Sequence, residues 1–403
     1  LASVAALTAS GATVLAWDDG DAARANFAGP LTNLNDHPLA GIDGLVVSPG
    51  VPGTAPLLVC ARAAGVPIIS DIELFALARP QLPPHKLVGI TGTNGKSTTT
   101  ALVTHLVQAA GQPALMGGNI GLPILAQNPL PAGGTYVLEL SSYQLDITHS
   151  LACDVAVLLN LTPDHLERHG DMAGYAAAKA QLFAMQAPGA TAIVNAAADA
   201  RWGFTRAGLN VQHIETVALP GPLGPALQGP HNLENARAAV ATACALGLDD
   251  AAIAAGLLSY PGLPHRMERL GVKRGLDWVN DSKATNADST APALGAFPHI
   301  QWIAGGRPKR DAAGQADLAA ALPRLGAVKA AWLIGEAAPE FAALLAPLLP
   351  THQSGTLRQA VQDVLAAAAP GDTVLFSPAC ASFDQFRDFE ARGDAFRALV
   401  EAL

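Results

Sequence analysis

The chain has 403 residues, of which 50% are hydrophobic, 5% aromatic and only 14% Asp, Glu, Lys or Arg. That apolar content excludes intrinsic disorder, and at roughly 150 residues per domain the length corresponds to two or three domains. With 24 Lys and Arg against 33 Asp and Glu the net charge is −9, a poor balance for gripping a nucleic-acid backbone, so no nucleic-acid partner is expected. A mean hydropathy of +0.28 comes from alanine-rich stretches. None of them reaches the roughly 18 uninterrupted apolar residues of a membrane span, so no membrane association is expected. Cys60, Cys153, Cys244 and Cys380 are far apart and form no CxxC pair. Neither a zinc knuckle nor a disulfide framework is indicated, and a reducing cytoplasm fits.

Short β-branched runs alternate with Ala/Leu-rich stretches, the rhythm of βα units and parallel sheets. Residues 1–10 read as a helix already under way, and Leu1 is not an initiator, so the true N-terminus is expected upstream. Strands are predicted at 13–16, 44–47 and 66–69, each ending in polar, Gly or Pro residues where ligand loops sit in open α/β sheets. The proline-rich Arg79-Pro-Gln-Leu-Pro-Pro-His85 is the first expected boundary. Strands at 87–90, 136–140, 155–161 and 191–195 follow, then a loop or irregular hairpin at 219–225 and a helix over 232–246. Tyr260-Pro-Gly-Leu-Pro264 is the second expected boundary. Beyond it, strands are predicted at 276–280, 301–304, 330–334 and 373–376, and a last helix presents Phe396, Leu399 and Val400 on one face.

Leu87-Val-Gly-Ile-Thr-Gly-Thr-Asn-Gly-Lys-Ser-Thr98 carries the strongest chemical signal. An apolar strand runs through a glycine-bearing turn into Lys-Ser-Thr and an amphipathic helix. Gly92 and Gly95 permit the turn and let backbone N–H groups approach phosphate, and the helix N-terminus adds positive partial charge. Lys96 is placed to reach the β- and γ-phosphates, and the Ser97 hydroxyl to ligate Mg²⁺. Relative to G-x-x-x-x-G-K-[ST] the loop is a shorter variant, with Gly89 one place early. Glu139 interrupts the apolar strand Tyr136-Val-Leu-Glu-Leu140. A carboxylate there is costly unless paired or metal-bound, so Glu139 is read as a Mg²⁺ ligand. Asp164 and His165 follow a strand C-terminus, and His165 is a candidate for a second metal or for a reacting carboxylate. Lys179 on a predicted helix over 173–186 reads, by itself, as a solvated lysine. Cys380, with no nearby His in sequence, reads as packing rather than as a nucleophile.

Together these pieces resemble the Mur ligase family of ATP-dependent amide-bond-forming enzymes. The resemblance is carried by Thr91-Gly-Thr-Asn-Gly-Lys-Ser97, Gly117-Gly-Asn-Ile-Gly121, Leu138-Glu-Leu-Ser-Ser142, Pro163-Asp-His165, Tyr175-Ala-Ala-Ala-Lys179, His231-Asn232 with Asn235, and Leu263-Pro-His-Arg266. Asn280-Asp-Ser-Lys-Ala-Thr-Asn286 and Ser377-Pro-Ala-Cys-Ala-Ser-Phe-Asp-Gln-Phe-Arg-Asp-Phe389 resemble the D-glutamate-adding branch. The resemblance implies an α/β fold of three domains. Residues 1–84 form a Rossmann-like domain for a UDP-sugar, lacking its first strand and Gly-rich turn; 85–262 form a P-loop ATPase-type parallel sheet; 263–403 form a Rossmann-like domain for the amino acid. It implies ATP, two Mg²⁺ ions and a CO₂-derived carbamate on Lys179, which turns a cation into a metal-supporting anion. Implied metal ligands are Ser97, Glu139, His165 and the modified Lys179. Implied ATP contacts are Gly92, Thr93, Asn94, Gly95, Lys96, Ser97 and Thr98, with Asn232 and Asn235 near adenine, Arg266 on phosphate and Asp281 on ribose. Implied substrate contacts are Asp18, Ser48 and Asn119 for the nucleotide-sugar, and Lys283 and Thr285 facing the cleft. Lys309 and Ser382 are implied to hold the D-glutamate carboxylates beside Phe389. Phe383 stands where the family has Leu, and Lys309 is matched by spacing with Arg310 adjacent.

The implied reaction joins UDP-N-acetylmuramoyl-L-alanine to D-glutamate through an acyl phosphate, with domain closure excluding water; a monomer is expected. Alternatives are a sibling ligase for another amino acid, a non-catalytic P-loop regulator or a small-molecule kinase. Glu139, His165 and Lys179 count against the regulator, since a binder needs no second metal.

Overall fold

The computed structural model describes residues 1–227, 230–310 and 314–403, without the side chains of residues 22, 230 and 231. The side chain of His231 therefore lies outside the described residues. The chain divides into two compact units, Leu1–Tyr260 and Pro261–Leu403.

The first unit is organised by a parallel sheet in the order β4-β5-β3-β6-β7-β8, where β3 is His85–Thr91, β4 Ala114–Gly118, β5 Gly134–Glu139, β6 Val155–Leu158, β7 Thr191–Val194 and β8 Asn210–His213. Its inner strands are apolar throughout because both faces are covered, as parallel sheets require: Leu87, Val88, Ile90, Val137, Leu138, Val157 and Leu158 are inaccessible to solvent. The long helices Lys96–Ala109 and Met172–Ala184 run between strands, and Pro230–Ala245 follows the last of them. Asn232 and Asn235 lie on the last of these helices, which starts two residues ahead of the sequence expectation.

Before this sheet lies a two-stranded parallel pair, β1 (Leu45–Val46) and β2 (Ile68–Ile69), over a small core of Leu45, Leu58, Ala61 and Val66. The strand expected at 13–16 is not formed. Ala16 makes one parallel bridge to Leu31, and the chain then turns, with Asp18 Oδ1 accepting from Gly20 N and Asp19 from the Trp17 indole. Those local bonds compete with a ladder.

The second unit has the sheet order β14-β13-β11-β15-β10-β9, with β9 Glu268–Lys273, β10 Leu276–Asn280, β11 Ile300–Gly305, β13 Val328–Ile334, β14 Thr351–Gly355 and β15 Thr373–Phe376. All pairs are parallel except β9 with β10. One face packs Trp302, Leu333, Phe341 and Leu375, the other Trp278, Phe376, Phe396 and Val400. Leu399 packs partly buried beside them, so the last helix, Phe389–Glu401, buries the stripe its sequence announces. A short antiparallel pair, β12 (Arg307–Pro308) with β16 (Cys380–Ala381), brings the Gly305–Lys309 and Ser377–Ser382 segments side by side.

β4, β8, β9 and β14 were not legible in sequence. β4 contains two glycines. β8 and β14 are polar edge strands, and β9 is an exposed antiparallel edge. No described helix is long and apolar enough to cross a membrane. All four cysteines are free, and burial pushes the Cys380 thiol up to about 12, consistent with packing.

Candidate active site

Three adjacent parallel strands, β5, β3 and β6, end together, and the loops after them build the site, as expected at the carboxyl edge of an open α/β sheet. β3 leads into the phosphate loop. Gly92 (φ 150°) and Gly95 (φ 84°) both take backbone angles that favour glycine. A Cβ at Gly95 would also strike the Asn235 side chain, so the helix bearing Asn235 packs directly on the loop. Gly89, by contrast, lies inside β3, where a Cβ would meet Leu182 and Cys153. It is a packing glycine, and the loop is the short Gly92–Gly95 form.

The loop is braced by Asn160, just beyond β6. Its carbonyl accepts from Thr93 N (3.0 Å), its Oδ1 from Asn94 N (2.9 Å), and its Nδ2 donates to Asn94 O (3.1 Å). The Thr93 hydroxyl bonds Thr162 O (3.1 Å) and lies 3.3 Å from the Tyr175 hydroxyl. Asn160 was not singled out from sequence, and Tyr175 entered only as the first residue of the run ending at Lys179. A polar residue immediately after a buried strand was the available signal for Asn160. Lys96 folds over the loop, donating to Gly92 O (3.0 Å) and Thr93 O (2.8 Å). Ser97 is buried and Thr98 half-buried in the first helical turn.

Glu139 is the last residue of β5, in register with Ile90 of β3 and Gly118 of β4. It is 2% exposed. Asn119 secures it twice, its N–H on Glu139 O (2.8 Å) and its Nδ2 on Oε1 (3.0 Å). Asn119 thus holds the acid in place. Glu139 Oε2 is buried with no hydrogen-bond partner. An orphaned carboxylate oxygen at this depth is costly without a cation, so the residue fits a hard divalent ion. No group of three or more His, Cys, Asp or Glu among the described residues is arranged to hold a metal by itself.

Lys179 does not sit on a solvated helix face. It is 1% exposed, donates to Gly92 O (3.0 Å) and Thr91 Oγ1 (3.3 Å), and lies over the Tyr175 ring (4.6 Å). Burial, reinforced by the charge of Lys96, lowers its pKa to about 7. A large fraction is therefore neutral amine near pH 7, the form that can attack CO₂.

His165 opens the short helix Leu166–His169 with φ 53°. Its Nδ1 lies 3.2 Å from the Tyr143 hydroxyl and its Nε2 3.5 Å from Asp164 Oδ2. Both ring nitrogens face protein groups and Mg²⁺ prefers oxygen donors.

In the first unit's leading segment, Asp18 and Ser48 are exposed. Ser48 begins the turn after β1, where its carbonyl accepts from Val51 N (3.0 Å).

In the second unit, Asp281 follows β10 and is 6% exposed, with Oδ1 accepting from Met267 N (3.1 Å) and Oδ2 from Ser377 Oγ (2.7 Å). Burial raises its pKa to about 7. Each oxygen accepts one bond inside the fold, so the carboxylate pins the turn holding Arg266 between two left-handed residues, His265 (φ 62°) and Met267 (φ 47°). Lys283 Nζ stands 3.8 Å over the Phe389 ring, and Thr285 is half-buried beside it in sequence. Lys309 is exposed at the end of β12, while Arg310 is engaged by Glu340 (2.9 Å), which favours Lys309 over its neighbour for a substrate anion. Ser382 is buried, and Phe383 is 62% exposed.

Residues 90–220 match the Mur ligase middle domain, and residues 265–380 match the Mur ligase, glutamate ligase domain. The chain belongs to the Mur ligase family. Over its whole length it is 55% identical to the UDP-N-acetylmuramoylalanine–D-glutamate ligase of Novosphingobium aromaticivorans, covering 92% of that protein. It is 54% identical to the protein of the same name from Sphingopyxis alaskensis, covering 95% of it. Among solved structures, the UDP-N-acetylmuramate-alanine ligase of Thermotoga maritima shares the fold with a TM-score of 0.61 at 17% identity, over 99% of this chain and 90% of that one. The MurF ligase of Thermotoga maritima in complex with ADP does so with a TM-score of 0.62 at 17% identity, over 92% of this chain and 100% of that one.

Proposed function

We propose that this Mur ligase joins D-glutamate to UDP-N-acetylmuramoyl-L-alanine with cleavage of ATP to ADP and phosphate, in cytoplasmic peptidoglycan precursor synthesis. The observation that carries the reading is the meeting of Lys96 and the buried, weakly basic Lys179 at one phosphate loop, with the orphaned Glu139 oxygen at the end of the adjoining strand. Full-length identity to ligases of that name supports the choice of amino acid. Residues 1–84 with their own small core serve the nucleotide-sugar, 85–262 serve ATP, and 263–403 serve the amino acid.

A carboxylate is a poor acylating agent because its leaving group would be oxide. The substrate carboxylate oxygen attacks the γ-phosphorus of ATP, the bond to the β-phosphate oxygen breaks, and acyl phosphate and ADP form. The D-glutamate amine then adds to the acyl carbon, and the tetrahedral intermediate expels phosphate and loses a proton. Little covalent work falls to the protein, which aligns groups and offsets charge. The loop N–H groups and Lys96 cradle the phosphates. Ser97 and Glu139 would hold Mg²⁺, whose charge neutralises the phosphate oxygens when bound. Lys179, once carbamylated by CO₂ with loss of a proton, would supply an anion able to support a second Mg²⁺, while Asn119 and His165 bind the nucleotide-sugar and its reacting carboxylate. Lys309 and Ser382 hold the D-glutamate carboxylates, with Phe389 packed beside Lys283.

The deciding assay is ADP release with UDP-N-acetylmuramoyl-L-alanine against a panel of amino acids. Turnover dependent on D-glutamate is expected. Turnover with L-alanine, or without any amine, would overturn the assignment.

A further inference from the structure

We infer that Arg168 and Tyr143 form a strap that sets the His165 imidazole according to the position of the loop following Ser48. This deepens the reading above, on which that loop serves the nucleotide-sugar. Arg168 lies one turn beyond His165, on the helix Leu166–His169, whose N–H groups hang on the His165 carbonyl (Arg168 N at 3.0 Å, His169 N at 3.2 Å). Its guanidinium reaches away from that helix in two directions. Nη1 donates to Val51 O (3.1 Å) in the loop after β1, and it is 3.5 Å from where a Cβ on Gly53 would stand. The guanidinium carbon sits over the Tyr143 ring at 5.3 Å, a cation–π contact.

Tyr143 passes the position on. Its hydroxyl is 3.2 Å from His165 Nδ1, and the two rings meet edge to face at 5.0 Å. The chain Val51–Arg168–Tyr143–His165 therefore links a backbone carbonyl of the loop to the imidazole through three contacts. The strap spans open space: Gly50, Gly53, Tyr143, Glu167 and Arg168 help line a cavity of about 710 Å³. Arg62 Nη1 also holds the loop, at Gly53 O (2.6 Å), but does not reach His165 through Tyr143, and Asp146 Oδ2, 3.9 Å from Arg168 Nε, offsets the charge. A planar guanidinium suits this place because it bonds a carbonyl at its edge while its face stacks on a ring, a flat and pre-organised span that a compact ammonium does not reproduce. Arg168 and Tyr143 are positioning residues, since they act through His165.

The test uses the full chain labelled with ¹³C-histidine, the His165 resonance being assigned by its loss in His165→Asn. Arg168→Met and Tyr143→Phe are each expected to shift that resonance in the ligand-free protein. Each should lower kcat with UDP-N-acetylmuramoyl-L-alanine by about tenfold and leave the KM for ATP unchanged. The double variant is expected to be no worse than the poorer single one, because both break the same strap. Arg168→Lys should recover less than half of the lost rate. An unmoved resonance in Arg168→Met, additive losses, or KM values for ATP and the nucleotide-sugar rising together with a fall in Tm would overturn the strap. Should the wild type fail to turn over that substrate, the proposed function falls, and the strap is decided by the resonance in the two variants alone.

Discussion

Glu139 in the first unit and Asp281 in the second are both buried carboxylates at the carboxyl end of a parallel strand, 2% and 6% exposed. Their surroundings differ in one respect. Asp281 spends both oxygens on protein donors, Met267 N and the Ser377 hydroxyl. Glu139 spends one on Asn119 and leaves Oε2 with none. A satisfied buried carboxylate holds structure together; one left half-satisfied in a folded protein implies a partner that arrives from solution. Lys179 belongs with Glu139, for its burial is costly for an ammonium and useful for an amine that reacts.

The largest effect expected from that contrast is at Lys179. Lys179→Ala should lose about three orders of magnitude in ADP release, and acetate or formate should restore part of it by replacing the carboxylate-like group. Full activity in the variant would remove Lys179 from the functional side of the comparison. Glu139→Gln comes next, with a loss of about a hundredfold or more and weaker Mn²⁺ binding measured by electron paramagnetic resonance. Its stability should change by less than about 1 kcal/mol, because Oε1 can still accept from Asn119. Asp281→Ala should do the reverse to stability, lowering it by about 2–3 kcal/mol, read by urea unfolding through Trp278, Trp302 and Trp332, all in the second unit. A stable Asp281→Ala together with an unstable Glu139→Gln would invert the contrast.

The pH dependence separates the two units more finely. The Asp281 carboxyl titrates near 3.8 when unfolded and near 7 in the fold. Its raised folded value contributes stability that is complete below about pH 4 and is lost as pH rises through about 7. Lys179 is lowered from 10.5 to about 7, so its contribution is present above about pH 10.5 and is lost as pH falls through about 7. Unfolding in CO₂-free buffer should therefore show Asp281→Asn flattening the acid-side slope and Lys179→Met flattening the alkaline-side slope. Exchange of the two effects would refute both assignments. The smallest effect expected is at Phe383. It is 62% exposed, so Phe383→Leu should change the KM for D-glutamate by less than about threefold.

The buried strands and the phosphate loop were legible because their information is local. An unbroken apolar run such as 87–90 has few places to go but a doubly covered sheet, and Gly-Lys-Ser after it leaves one arrangement of loop and helix. Glu139 was legible for the same reason, as one charge in an apolar strand. Lys179 was not, apart from the resemblance. A lysine in an alanine-rich helix carries no local sign of burial, and its low basicity arises from burial beneath the phosphate loop and from the charge of Lys96, both supplied by segments distant in sequence. Asn119 and Asp281 carry bonds that residue-by-residue transfer did not announce. Their side chains were expected on substrate and on ribose, whereas the fold first uses them on Glu139 and on the turn at Met267. Polar edge strands such as β14 escaped notice because half of each has no core to face.

By itself, then, the sequence determined the α/β class, the phosphate loop with Lys96 and Ser97, the acid at Glu139 and the family. Each of these is written in contiguous residues whose periodicity or backbone needs admit few alternatives. The tertiary structure alone decided which buried groups are satisfied, that Lys179 is a weak base beneath the phosphate loop, and that Arg168 joins the Ser48 loop to His165. Solvation and hydrogen-bond pairing are properties of what surrounds a group, and those surroundings come from strands and helices far apart along the chain.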